Sequence, residues 1–223
     1  MSLVFDNFDL YLSAFRLTLG LFAVSAVASL VFGTILAAMR VGPIAVLSRA
    51  AATYITLIRN TPLLMVFIFI SVALPTVDIT FKAVENVGVN GFFFRGCLAL
   101  SLYTSTFVAE AIRSGINAVP LGQAEAARAI GLTFGGTMTQ VILPQAFRAT
   151  VPPLASVFIA LLKNSSVGAV FGLLEAAARM KFFANQTARD EGVFLLFALG
   201  YVVLVEIVSF GASRLERRWR VSQ

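Results

Sequence analysis

The chain has 223 residues, 59% of them hydrophobic and only 13% charged, against about 25% charged in a soluble domain. Phenylalanine alone contributes 21 residues and the mean hydropathy is +0.90, which makes this an integral membrane protein. Its net charge of +6 comes from basic residues at the ends of apolar segments, as membrane topology demands, and makes no case for nucleic acid. With no histidine and a single Cys97 in an apolar run, His-based metal sites, triads and proton relays are excluded, as is a disulfide within the chain.

No basic region precedes the first apolar run, so a cleaved signal peptide is not expected. Leu17 to Met39 is uncharged and long enough to cross the hydrocarbon core. Ser25, Ser29, Gly33 and Ala37 recur at every fourth position, a small-residue stripe of the kind that lets helix backbones approach in lipid; filler in an Ala-rich helix is the alternative. Arg16 lies near enough to the end of this span to snorkel. Arg40 to Asn60, with Arg49, Arg59 and the breaker Gly42-Pro43, is expected to be a cytoplasmic connection ending in an amphipathic approach to the membrane. Thr61 to Val77 is the second span, with Pro62 and Pro75 near its ends. Asp78 to Gly91 is a polar loop, and Phe92 to Ile112 is the third span, containing Glu110.

Pro120 to Pro144 is a polar stretch with its own plan. Gln123 to Ile130 is Ala-rich and predicted helical, with Pro120 before it and Gly131 after it. Glu125 and Arg128 are spaced to pair on one face. Ala124, Ala126, Ala127 and Ala129 keep this helix thin, so it can lie closely against another protein surface. Phe134, Met138, Val141 and Ile142 predict a second amphipathic piece, ended by Pro144. An ordinary helical loop is the competing interpretation.

Ala149 to Leu162 begins a fourth span, which Lys163-Asn164-Ser165-Ser166 is expected to interrupt before Val167. Glu175 to Glu191 is polar again. Gly192 to Ser213 is the last span, containing Glu206, and a basic tail follows. Placing the loops after spans one and three, and the tail, inside puts ten basic residues there, including Arg40, Arg113, Arg148 and Arg217. Five remain opposite: Lys82, Arg95, Arg179, Lys181 and Arg189. The expected orientation is therefore N-terminus outside and C-terminus cytoplasmic.

No lysine follows a glycine, so the chain lacks the phosphate cradle of a P-loop and cannot be its own ATPase. About five spans are also too few to enclose an aqueous path alone. Charges within spans are candidates for function because each is costly unless paired or wet. Glu110 and Arg113 fit an i,i+3 pair. The Lys163 to Ser166 run offers a cation and hydrogen-bonding groups to a substrate carboxylate, or else Lys163 snorkels and its neighbours cap helix ends. Arg59 is a second candidate cation. Glu206 has no partner evident in the sequence.

Glu125-Ala126-Ala127, then Gly131, Val141 and Leu143-Pro144, resemble the EAA loop of bacterial ATP-binding-cassette importer permeases, in which Ile usually stands where Val141 does. Arg59-Asn60-Thr61-Pro62 resembles a signature of the polar amino acid branch. So do Leu102 to Ile116, Gly122 to Arg128 and Leu162 to Ser166, in wording similar to glutamate-type permeases of actinobacteria. The resemblance implies an all-α permease of about five transmembrane helices forming one domain over residues 1–223. It implies ATPase coupling through Gly122, Glu125, Ala126, Ala127, Arg128, Gly131, Leu143 and Pro144. The partners it implies are a cytoplasmic ATP-binding subunit dimer, a second permease subunit and an extracytoplasmic amino acid-binding protein. No cofactor is expected, since ATP is used by a partner. Arg59, Asn60, Thr61, Glu110, Lys163, Asn164, Ser165 and Ser166 are the candidate substrate path. A secondary transporter driven by an ion gradient would need no coupling loop and would more naturally show broken spans repeated within a longer chain. A membrane enzyme is disfavoured by the lack of His and of clustered carboxylates.

Overall fold

A computed structural model describes residues 6–79, 88, 90–186 and 191–219; the expected loop cations Lys82 and Arg189 lie outside them. The described residues form eight helices: α1 (Phe8–Val41), α2 (Ala45–Arg59), α3 (Leu63–Thr76), α4 (Gly91–Asn117), α5 (Leu121–Ala129), α6 (Phe134–Phe171), α7 (Ala176–Gln186) and α8 (Glu191–Trp219). Helices α1, α4, α6 and α8 are each long and apolar enough to cross a membrane. Helices α2 and α3 meet at a 103° bend and count together as a fifth candidate, which agrees with the expected number of spans.

Helix α4 is the centre of the bundle. Its N-terminus is capped by the Asn90 side chain, which accepts the N–H groups of Phe92 and Phe93 at 2.9 and 3.2 Å. Most of its small and hydroxylated residues are buried, and Ser101, Ser105 and Thr106 return their hydroxyl protons to backbone carbonyls of their own helix, as a polar group in an apolar layer must. Helix α1 runs parallel to α4. Its buried residues Ala14, Thr18, Leu21, Ser25, Ser29, Gly33 and Ala37 form one stripe, whereas Val24, Val27, Val31 and Ile35 face outward. At Gly33 the two backbones come so close that a Cβ would stand 2.5 Å from Val108 Cβ and 2.7 Å from the Ser105 carbonyl oxygen. The small-residue stripe is therefore an interface.

Two expectations need correction. Pro144 does not end its helix: the chain stays helical through a π turn at Met138–Ile142 and continues into Leu143–Asn164. A π turn at Phe69–Ala73 likewise precedes Pro75. Proline lacks an N–H and its ring crowds the carbonyl four residues back, and a widened turn relieves both. Second, Lys163 to Ser166 does not interrupt the fourth span. The helix reaches Asn164 and tightens to 3₁₀ over Ser165–Phe171, with the Ser165 and Ser166 hydroxyls donating to the carbonyls of Leu162 and Lys163 at 2.7 and 2.8 Å. The polar segment after Glu175 is mostly α7.

Candidate functional site: an exposed helix and a basic groove

Helix α5 begins just after Pro120 and ends in a Schellman motif. Gly131, at φ +90°, supplies the left-handed residue, and Gly131 N–H and Leu132 N–H reach the carbonyls of Arg128 and Ala127 at 2.9 and 3.1 Å. Val119, Ile142 and Ala146, with Ile116, Ala124 and Met138 against them, form a small apolar core under α5. Ala127 is the buried member of the helix; Gly122, Glu125, Ala126 and Arg128 are exposed, as are Gly131, Leu143 and Pro144 beside it. Leu121 and Ile130, at the two ends, are each 81% exposed. The expected Glu125–Arg128 pair does not form: neither side chain joins an ion pair among the described residues, because both extend from an uncovered face. Gln145 Nε2 donates to Gln123 Oε1 and, at 2.9 Å, to the Val141 carbonyl, tying α5 to α6.

The candidate path residues divide between two faces of α6. Lys163 and Ser166 line a cavity of about 390 Å³ with Tyr201, Val202, Val205 and Glu206 of α8, which gives Glu206 a cation in its neighbourhood. Asn164 faces the other way. It lines a cavity of about 260 Å³ with Ser156, Val157, Ala160 and Leu161 of α6 and Tyr103, Thr104 and Phe107 of α4. Ser165 is fully buried.

Phe107 also borders a third cavity, of about 380 Å³, lined by Arg40, Ile55, Thr56, Arg59, Asn60 and Glu110. The expected Glu110–Arg113 pair is present, with Arg113 Nη2 and Nε donating to Glu110 Oε2 at 2.8 and 3.1 Å. Two more guanidinium groups converge on the same carboxylate, Arg40 Nε at 3.6 Å and Arg59 Nη1 at 3.9 Å. Arg59 also lies over the Phe107 ring, 5.2 Å from its centroid. Asn60 is the exposed C-terminal neighbour of α2, and Thr61 Oγ1 donates to the Leu57 carbonyl at 2.8 Å, closing the end of that helix at the bend.

Sequence reasoning missed Glu175. It is fully buried and accepts the N–H groups of Ala177 and Ala178 at 3.0 and 3.1 Å and the Tyr201 hydroxyl at 2.6 Å. Thr18 Oγ1 accepts the Ala176 N–H at 3.2 Å. The carboxylate thus caps α7 and ties it to α8, with α1 alongside. An acidic residue directly before an Ala-rich run is the signal that points to such a cap.

The family described as binding-protein-dependent transport system inner membrane component matches residues 29–221. The chain is 42% identical over 216 residues to the glutamate transport system permease protein GluC of Corynebacterium glutamicum, covering 95% of each. It is 36% identical over 218 residues to the probable glutamine ABC transporter permease protein GlnM of Bacillus subtilis, covering 98% of this chain and 97% of that one. Among solved structures, a crystal structure of an amino acid ABC transporter with histidines superposes with a TM-score of 0.85 at 32% identity, over 96% of both chains.

Proposed function

Because the chain belongs to the family of binding-protein-dependent transport system inner membrane components, we propose that it is the permease subunit of an ATP-driven importer for an acidic amino acid. The observation that carries this reading is α5: a short helix held off the bundle by a small apolar core, with its outer face and both apolar ends uncovered. That is the form of a docking element for a second protein. The partner is a dimer of cytoplasmic ATP-binding subunits, and Gly122, Glu125, Ala126, Ala127, Arg128, Gly131, Leu143 and Pro144 are the coupling residues.

Helix α5 sits in the chain between α4 and α6, which are also the two walls of the groove holding Asn164 and Phe107. Movement of α5 is passed to α4 through the short link Ala118–Pro120 and to α6 through Gln145. Closure of the ATPase dimer would therefore move the groove walls relative to each other and alternate the access of the path. The chain does no covalent chemistry and needs no cofactor; ATP is consumed by the partner. A second permease subunit completes the path, an extracytoplasmic binding protein delivers the amino acid, and lipid covers the outward apolar faces. The N-terminus lies outside and the C-terminus and α5 inside, as the basic residues ask.

The relatives' names motivate an acidic or related polar substrate, and the cations Lys163 and Arg59 fit it, since a carboxylate in a low-dielectric path needs a partner. Asn164 lies in the outer part of the α4–α6 groove, Lys163 and Ser166 offer a second polar face toward α8, and buried Ser165 supports both from within α6; Arg59, Asn60, Thr61 and Glu110 form the inner part. The test is uptake by the assembled transporter in proteoliposomes. Glu125→Lys reverses a charge on the docking face, and Gly131→Pro forces a residue at φ +90° to the value near −65° that proline requires. Both variants are expected to remain inserted and to hydrolyse ATP without uptake. Normal uptake at equal abundance would reject the assignment, and uptake that survives ATP depletion at constant membrane potential would instead indicate an ion-driven carrier.

A further inference from the structure

The inner cavity is more basic than its neighbours. Glu110 is the one carboxylate among its described lining residues, yet Arg113, Arg40 and Arg59 all surround it. These three contacts are unequal. Arg113 makes two hydrogen bonds to Glu110 Oε2, whereas Arg40 and Arg59 approach only to 3.6 and 3.9 Å, too long for hydrogen bonds. Among the described residues, Arg40 Nη1 is buried with no hydrogen-bond partner, a state that costs the desolvation of a charged donor. One carboxylate thus stands against three guanidinium groups, and two of those, Arg40 and Arg59, line a 380 Å³ space while approaching that carboxylate only at ion-pair distance.

Position adds to charge. Tyr103, Phe107 and Glu110 share one face of α4, at i, i+4 and i+7. Phe107 borders both the Asn164 cavity and the arginine cavity, so the two follow each other along α4. By the helical rise, Tyr103 and Glu110 are about 10 Å apart along the axis, and Glu110 is about 10 Å from the α5 end of α4. A solute leaving the Asn164 cavity toward α5 meets Arg59 stacked on Phe107, and then Arg40.

We propose that Arg40 and Arg59 form an anion site at the inner end of the groove, where the side-chain carboxylate of an acidic amino acid takes the position that Glu110 occupies toward them, while Arg113 retains Glu110. Glu110 is a resident stand-in for the ligand. Its loose contacts offset the repulsion between Arg40 and Arg59 when the site is empty and give way to an anion that hydrogen-bonds them fully. The ligand's identity rests on the function proposed above; the site itself rests on the arginines.

The experiment uses the purified, assembled transporter without its binding protein, in nanodiscs, with radiolabelled L-glutamate and L-glutamine as probes. Glutamate is expected to bind and glutamine to bind far more weakly. Arg40→Gln and Arg59→Gln should each weaken glutamate binding about tenfold or more, and Arg59→Lys should restore part of it. Glu110→Gln should tighten binding, because it removes the competing carboxylate. A purely structural ion pair predicts the opposite. Melting temperatures identify any variant that fails to assemble, and Arg59→Lys and Glu110→Gln decide the matter if the glutamine variants of the arginines do. Wild-type binding strength in both Arg40→Gln and Arg59→Gln would overturn the proposal, as would weaker binding in Glu110→Gln. Nanodiscs with and without phosphatidylglycerol separate a lipid phosphate from a free carboxylate: if the arginine variants lose only the stabilisation by that lipid, the occupant is a headgroup and the proposal fails. ATP-driven uptake by the wild type reports separately on the function, since an importer that takes glutamine and not glutamate fails that reading whatever the arginines do.

Discussion

Gly33→Ala tests the packing that holds the bundle together. The added methyl would stand 2.5 Å from Val108 Cβ and 2.7 Å from the Ser105 carbonyl oxygen. Neither atom is the end of a flexible side chain, so α1 and α4 must part by about 1 Å to restore ordinary carbon contacts of 3.5–4.0 Å. Overpacking of this kind costs about 1–3 kcal/mol, and contact with a rigid backbone carbonyl places this case near the upper figure. Packing is the main attraction between helices in lipid, so little else compensates. A loss of about 3 kcal/mol raises the population of the opened helix pair about a hundredfold. Cys97 is the reporter: it is 6% exposed and packs in the same core as Leu21 of α1. In the purified complex, N-ethylmaleimide should modify Cys97 of Gly33→Ala at least about ten times faster than in the wild type. Gly211→Ala, where nothing lies within 4 Å of the added methyl, should leave the rate unchanged. If Gly33→Ala labels and melts like the wild type, the close approach of α1 and α4 is wrong.

Lys163→Met keeps the aliphatic stem and removes only the charge; uptake should fall far more than the ATPase activity of the assembled complex, and normal uptake would place the outer cation elsewhere. Glu175→Leu strips acceptors from two backbone N–H groups and the Tyr201 hydroxyl and should cost at least about 2 kcal/mol, read as a lower melting temperature. Tyr201→Phe, which removes one donor, should cost less than that; equal melting of Glu175→Leu and the wild type would contradict the tie that Glu175 makes between α7 and α8. In a Cys97→Ala background, a cysteine at Gln123 should resist an impermeant thiol reagent in intact cells and react in inverted vesicles. Labelling from outside would put α5 on the wrong side.

The spans were legible because lipid imposes a rule that a single sequence can display: long apolar runs with charges at their ends. The exposed helix was legible for a local reason, since Pro120 and Gly131 mark its limits within a few residues, and the Glu110–Arg113 pair is a matter of spacing on one helix. The remainder depends on neighbours remote in sequence. Arg40 meets Glu110 only because α1 and α4 lie parallel. Glu175 looks like part of a surface loop until Thr18 and Tyr201, from opposite ends of the chain, are placed beside it. Pro144 reads as a stop because a straight helix has no room for its ring; a single widened turn lets the helix pass. Lys163 and Asn164, adjacent in sequence, face different cavities, because the helical turn per residue points one toward α8 and the other toward α4.

The parallel pairing of α1 with α4 also imposes an order on biogenesis. Antiparallel neighbours can dock as soon as the second leaves the ribosome, but here the partner of Gly33 is Val108, about 75 residues later, which is about 4–15 s at 5–20 residues per second. Through that interval α1 must rest in the bilayer alone, with Thr18, Ser25 and Ser29 facing acyl chains. Two of the three are equipped to do so, because Thr18 and Ser29 donate to the carbonyls of Ala14 and Ala26 within their own helix, at 3.1 Å each. The first helix therefore enters the membrane with Thr18 and Ser29 satisfied from within and the Ser25 hydroxyl without a partner among the described residues, and its lateral docking waits on translation of the third span.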